Sequence, residues 1–199
     1  MKYFKFIAIP IIAFVISITI SCERDDICAE ATPTTPRLII DFYDISIQED
    51  SKNVFDLRIV GADKDDEDYL TSEVDGVDNI YDGSNNFSQI TLPLKTEDSD
   101  TGEVASSTQY ILTQDYSYDD NDTPDDTDDD IYEGNSDTIT INYSTKLVFV
   151  SRACGYKTIF ENVTISIVND GDNWISSRES INDNQSVEDE TTTHFNFFH

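Results

Sequence analysis

Basic residues are scarce in this chain. It holds 12 Lys and Arg against 41 Asp and Glu over 199 residues, a formal net charge of −29. Such a surface repels phosphate, which argues against nucleic acid as a partner and against electrostatic adhesion to an anionic lipid face. Histidine is nearly absent: His194 and His199, both near the C-terminus, are the 2 present. No nucleophile elbow surrounds any Ser, so Ser–His chemistry has no support. The 7 Gly never gather into a phosphate cradle. No segment carries a long helical period, and Met and Trp occur once each. What is plentiful is aromatic and β-branched: 10 Tyr and 11 Phe stand among many Ile, Val and Thr. That composition suits a pleated, half-buried surface and favours sheet.

Long hydrophobic runs are absent except at the start. Lys2 and Lys5 lead into an apolar run from Phe6 to Ile20, closed by Ser21-Cys22 and the charged Glu23-Arg24-Asp25-Asp26. A basic start, a short apolar core and a small residue before the cut are the parts of a secretory signal. About fifteen residues fall short of the roughly twenty that span a bilayer as a helix. Two readings compete: an ordinary cleaved signal, or a lipoprotein signal in which Cys22 takes a diacylglyceryl group. Lipidation is the expectation adopted, and more than one acyl chain makes a stable anchor. Thr19 stands where a lipobox more often has an aliphatic residue. Loss of Lys2 and Lys5 would take the net charge from −29 to −31. The expected location is the cell envelope, as an outer-membrane lipoprotein, with periplasmic face and cell surface both open.

With Cys22 lipidated, Cys28 and Cys154 remain of the 3 Cys. In an oxidising compartment such a pair usually forms a disulfide; two free core thiols are the competing reading. A bridge would close a loop of more than a hundred residues, which the chain-entropy model values at about 4–5 kcal/mol.

Short period-two runs follow the leader. Leu38 to Tyr43 opens the domain. Val54 to Val60 places Phe55, Leu57 and Ile59 on one face, with Asp56 and Arg58 opposite. Gln48 to Lys52 reads as the hairpin between these two runs. Ile90 to Leu94 contains Pro93, which cannot donate to a ladder and implies an edge strand. Tyr110 to Leu112 follows. Ile139, Ile141 and Tyr143 share a face, and Lys146 to Arg152 reads as a separate strand. Val163, Ile165 and Ile167 form the next, Asn169 to Asn173 is turn chemistry, and Trp174-Ile175 starts a return strand. Ser176 to Glu190 reads as a polar, mobile tail, and Phe195 with Phe197 forms the last strand. The expected fold is all-β: an antiparallel β-sandwich of about seven to eight strands with long acidic loops. Residues 1–21 are read as signal, 22–36 as lipid tether and linker, and 37–199 as one domain with acidic insertions at 61–86 and 115–137.

The second insertion is the one segment that suggests a metal. Asp119, Asp120, Asp122, Asp125, Asp126, Asp128 and Asp130 could offer several of the about six to eight oxygens that Ca2+ takes. Pro124 breaks the run and Gly134 falls after it, so the pattern departs from an EF-hand, and a solvated acidic loop is the competing reading. No other cofactor is expected. Paired carboxylates could in principle cleave a glycosidic bond, but 41 acids make any one pair uninformative. Asp137-Thr138-Ile139 resembles a short O-glycosylation motif, with an ordinary strand Thr as the alternative.

Taken together, four blocks resemble an uncharacterised family of small lipoproteins of Bacteroidota, a domain of unknown function. They are Cys22 to Cys28, Thr32 to Asp44, Arg152-Ala153-Cys154-Gly155-Tyr156 and Asn173-Trp174-Ile175. The resemblance implies envelope placement and a β-fold, and no activity. The acidic insertions look longer than the family pattern needs, which puts any shared role in the β-core. The expected function is a non-catalytic binding or structural module that contacts an envelope protein or a glycan. The alternative is a carboxylate-based hydrolase or carbohydrate-active enzyme.

Overall fold

The computed structural model describes residue 28 and residues 35–62, 79–96, 104–119 and 131–199. The chain divides into two compact units. One comprises Met1–Thr32 with Phe149–Tyr156, the other Pro33–Val148 with Lys157–His199. The signal segment and Cys22 lie outside the described residues. Among the described residues, no helix is long and apolar enough to cross a membrane.

Nine strands are described: β1 Leu38–Tyr43, β2 Arg58–Gly61, β3 Asn79–Asp82, β4 Gln89–Leu92, β5 Ser107–Asp119, β6 Ile131–Ser151, β7 Gly155–Ile167, β8 Ser177–Ser180 and β9 Phe195–Phe198. They form a four-stranded sheet, β4-β1-β9-β8, and a five-stranded sheet, β3-β2-β5-β6-β7. The expected all-β sandwich is what the chain builds. One pairing departs from a purely antiparallel plan: β1 and β9 run parallel, with Ile40 opposite Phe195 and Phe42 opposite Phe197.

In the larger unit both sheets contribute to one core. Leu38, Ile40 and Phe42 of β1 and Phe195 and Phe197 of β9 join Ile59, Leu112, Ile139, Ile141 and Phe160 of the other sheet. Each fully buried side chain of this size contributes roughly 1.5–3 kcal/mol. Tyrosine hydroxyls tie the sheets at one margin. Tyr143 donates to Lys95 O at 2.7 Å, while its oxygen lies 2.7 Å from Thr108 Oγ1. Tyr110 donates to Pro93 O. Burial raises the pKa of both tyrosines, so both stay protonated donors.

Several details differ from the sequence expectation. The run from Val54 to Val60 is not one strand: Asp56 adopts φ 43°, and this turn breaks the alternation. Phe55 is 55% exposed, whereas Leu57 and Ile59 are buried. Gln48 to Lys52 is no hairpin between β1 and β2, since those strands lie in different sheets. The two strands expected over 138–152 are one continuous strand, β6. The acidic segment 61–86 contains β3. Within 115–137, β5 runs to Asp119 and β6 starts at Ile131. The polar segment 176–190 holds β8 as an edge strand. It also holds a bridge from the fully buried Val187 to Phe160. Pro93 marks an edge as expected, since β4 is outermost in its sheet.

In the smaller unit, Cys28 and Cys154 form a disulfide with S–S 2.05 Å and Cα atoms 4.8 Å apart. Phe149 and Tyr156 pack edge to face, with ring centres 5.4 Å apart.

Candidate functional site

Arg58 opens β2, next to the inward-facing Leu57 and Ile59, so its side chain leaves the sheet on the opposite face. That face is not solvent. Val60 and Ile111, opposite each other on β2 and β5, are 1% and 2% exposed on the same side. Arg58 itself is only 2% exposed. Across the sheet it stands opposite Thr113, which in turn stands opposite Ser136. Thr113 Oγ1 and Ser136 Oγ are 2.7 Å apart. One row therefore runs Asp82, Arg58, Thr113 and Ser136, and the Asp82 carboxylate turns to Ser84, accepting its amide at 2.9 Å and its hydroxyl at 2.6 Å.

The Arg58 guanidinium lies over the Tyr116 ring, 5.0 Å from its centre. A bulge delivers that ring. The β5–β6 register slips between Gln114 and Ser117, and Asp115 takes φ 51°. The amides of Asp115 and Tyr116 leave the ladder and donate to Phe55 O and Asp56 O at 2.9 and 3.1 Å. Bulges of this kind re-aim side chains. Gly83, at φ 84°, lies so close to Tyr116 that a Cβ there would overlap the ring. Gly134, at φ 130°, likewise leaves no room between Thr113 and Gln114 O.

Arg58, Thr113, Tyr116, Gly134 and Ser136 line a pocket of about 340 Å³ with Tyr132, Glu133, Asn135 and Asp172. The turn that brings Asp172 is held from two sides. Asn135 Nδ2 donates to Asp172 O at 2.8 Å, and Asn173 Nδ2 donates to Asp137 Oδ1 at 2.9 Å. Asp137 is fully buried and also accepts the Ile175 amide at 2.7 Å. Burial raises its pKa against those hydrogen bonds. Asp137 is thus a structural anchor behind the pocket.

Electrostatically the site is unusual for such an acidic chain. Among the described residues no carboxylate forms an ion pair or hydrogen bond with the Arg58 guanidinium, and its buried Nε has no hydrogen-bond partner. Burial lowers the Arg58 pKa, partly offset by Tyr116 and Tyr132, and a guanidinium stays cationic in a protein all the same. A buried cation without an anion is costly. The cation–π contact returns about 0.5–2 kcal/mol of that cost.

Sequence reasoning missed Arg58, which alternation only placed with Asp56 on the face opposite Leu57 and Ile59. The apolar Val60 and Ile111 on that same face were the available sign that it is covered. Of the calcium candidates, Asp119 ends β5 opposite Ile131; Asp120, Asp122, Asp125, Asp126, Asp128 and Asp130 lie outside the described residues. Among the described residues no three His, Cys, Asp or Glu side chains gather as a metal ion would require. His194 has a structural place: its Nδ1 accepts the Ile39 amide at 2.9 Å, and its amide donates to Ile39 O at 3.0 Å.

Residues 57–199 match the model of a family described as a family of unknown function, DUF6452. The chain belongs to the DUF6452 family. No curated protein and no solved structure matches it. The DUF6452 match takes in Arg58, the whole pocket lining, the Cys154 block and the Trp174 block. The Cys22–Cys28 and Thr32–Asp44 blocks precede it.

Proposed function

We propose that this DUF6452 protein is a lipid-anchored envelope protein that binds, and does not transform, a small anionic ligand in the Arg58 pocket. An acidic glycan is the best chemical fit. The observation that carries the reading is Arg58: a buried guanidinium without a carboxylate partner in a chain of 41 acids. A planar guanidinium pairs with a carboxylate through two parallel hydrogen bonds. The hydroxyls of Thr113 and Ser136 and the amide of Asn135 suit sugar hydroxyls, and the rings of Tyr116 and Tyr132 suit a sugar's C–H face. The envelope setting is supported by the leader, by Ser21-Cys22 and by the Cys28–Cys154 disulfide, which fits an oxidising compartment.

Calorimetry with short uronic-acid oligosaccharides and their neutral counterparts tests this reading. Saturable binding of the acidic series only, lost in Arg58→Met, is expected. Absence of saturation by every acidic sugar overturns it. Salt at 0.15 M screens the net negative charge beyond about 8 Å, while Glu133 and Asp172 in the pocket lining oppose an anion at short range and leave Arg58 as the group it must engage.

One observation favours a second reading, the glycan hydrolase: Glu133 and Asp172 both line the pocket. Turnover of a bound oligosaccharide, abolished by Glu133→Gln, would support it.

A further inference from the structure

We propose that the tip of the β6–β7 hairpin is a membrane-contact surface, seated among the headgroups of the leaflet that holds the lipidated Cys22. This rests on the lipid-anchor reading above. The first argument is reach. Cys28 is six residues beyond Cys22, and six residues extend at most ~20 Å. The disulfide then brings Cys154 within 4.8 Å of Cys28, Cα to Cα. The hairpin tip is therefore leashed to the anchor by a tether shorter than a bilayer is thick.

The second argument is what the tip presents. Phe149 is 56% and Tyr156 65% exposed, on rings that pack edge to face. Exposed aromatics cost little beside an acyl–headgroup boundary, and Tyr suits that boundary with an apolar body and a polar tip. The third is charge. The chain as a whole is strongly acidic, yet no Asp or Glu occurs from Thr138 to Phe160, and the exposed Arg152 sits at the turn. The hairpin end thus carries no acid of its own, and the nearest acids in sequence to the bridged Cys28 are Glu23, Asp25, Asp26 and Glu30 of the leader side. A basic, aromatic tip adds no repulsion of its own against lipid headgroups.

The test uses the full-length lipoprotein with Phe149→Trp, reconstituted into phosphatidylethanolamine–phosphatidylglycerol vesicles. The native Trp174 is buried and serves as background in the parent protein. The expected result is a blue shift of the new tryptophan and loss of its emission when the lipids carry bromine on shallow acyl carbons. The double variant Cys28→Ser/Cys154→Ser, with Phe149→Trp retained, should lose much of that quenching. Emission unchanged by vesicles overturns the proposal. So does a blue shift without bromine quenching, which would mean that protein, a second copy or another partner, covers the tip. Intact mass of the same sample separates the two claims: acylated Cys22 without quenching overturns only the tip, whereas an unacylated Cys22 overturns the anchor as well.

Discussion

The Arg58 guanidinium rests on the face of Tyr116, 5.0 Å from the ring centre, without a carboxylate among the described residues to neutralise it. Stability alone does not account for such an arrangement, because desolvating a charge costs more than one cation–π contact returns. Arg58→Met keeps the length of the side chain and removes the charge. Urea unfolding should show stability unchanged or raised by about 1–2 kcal/mol, with loss of ligand binding. A large destabilisation would make Arg58 a structural residue instead.

Gly83 holds the space that the Tyr116 ring occupies, and its φ of 84° suits glycine. Gly83→Ala should cost about 1–3 kcal/mol through backbone strain and ring displacement. It should also weaken binding more than an equally destabilising core variant such as Ile139→Val. Thermal melts paired with ligand titration distinguish these effects.

Burial lowers the pKa of His194 below its ordinary 6.5, against the opposing pull of Asp189 and Glu190. Its neutral Nδ1 accepts the Ile39 amide. A depressed histidine contributes stability that is present above pH 6.5 and is lost as pH falls through the folded-state value. Burial lowers His199 in the same direction. Melting temperature should therefore drop on acidification below pH 6.5. His194→Asn, whose amide oxygen can replace Nδ1 as acceptor, should flatten part of that slope.

The disulfide spans a sequence separation of 126 residues. Reduction should lower unfolding free energy by up to about 4–5 kcal/mol in the chain-entropy model. Denaturation with and without reductant measures it.

Much of this fold can be read from alternation. Ile139, Ile141 and Tyr143 are buried on one face, as their spacing implies. Alternation fails where the backbone turns, as at Asp56, whose positive φ puts Phe55 outside. It is also silent for β8, a polar edge strand whose ladder pairs with β9 and whose Arg178 donates to Ile165 O of β7. The candidate site was the least legible part. Its cation comes from one strand and its aromatic from a bulge on another, more than fifty residues later. No local spacing links them, and only strand register brings them together.

On the proposed function, the Arg58 guanidinium is held ready for an anion. Proton–nitrogen NMR of the arginine side chains, followed while a uronic-acid disaccharide is added, tests it most directly. The account predicts a saturable shift of the Arg58 Nε–H signal, assigned by its disappearance in Arg58→Met, and no shift with the neutral disaccharide. An Arg58 Nε–H signal that stays unmoved through the titration would contradict it.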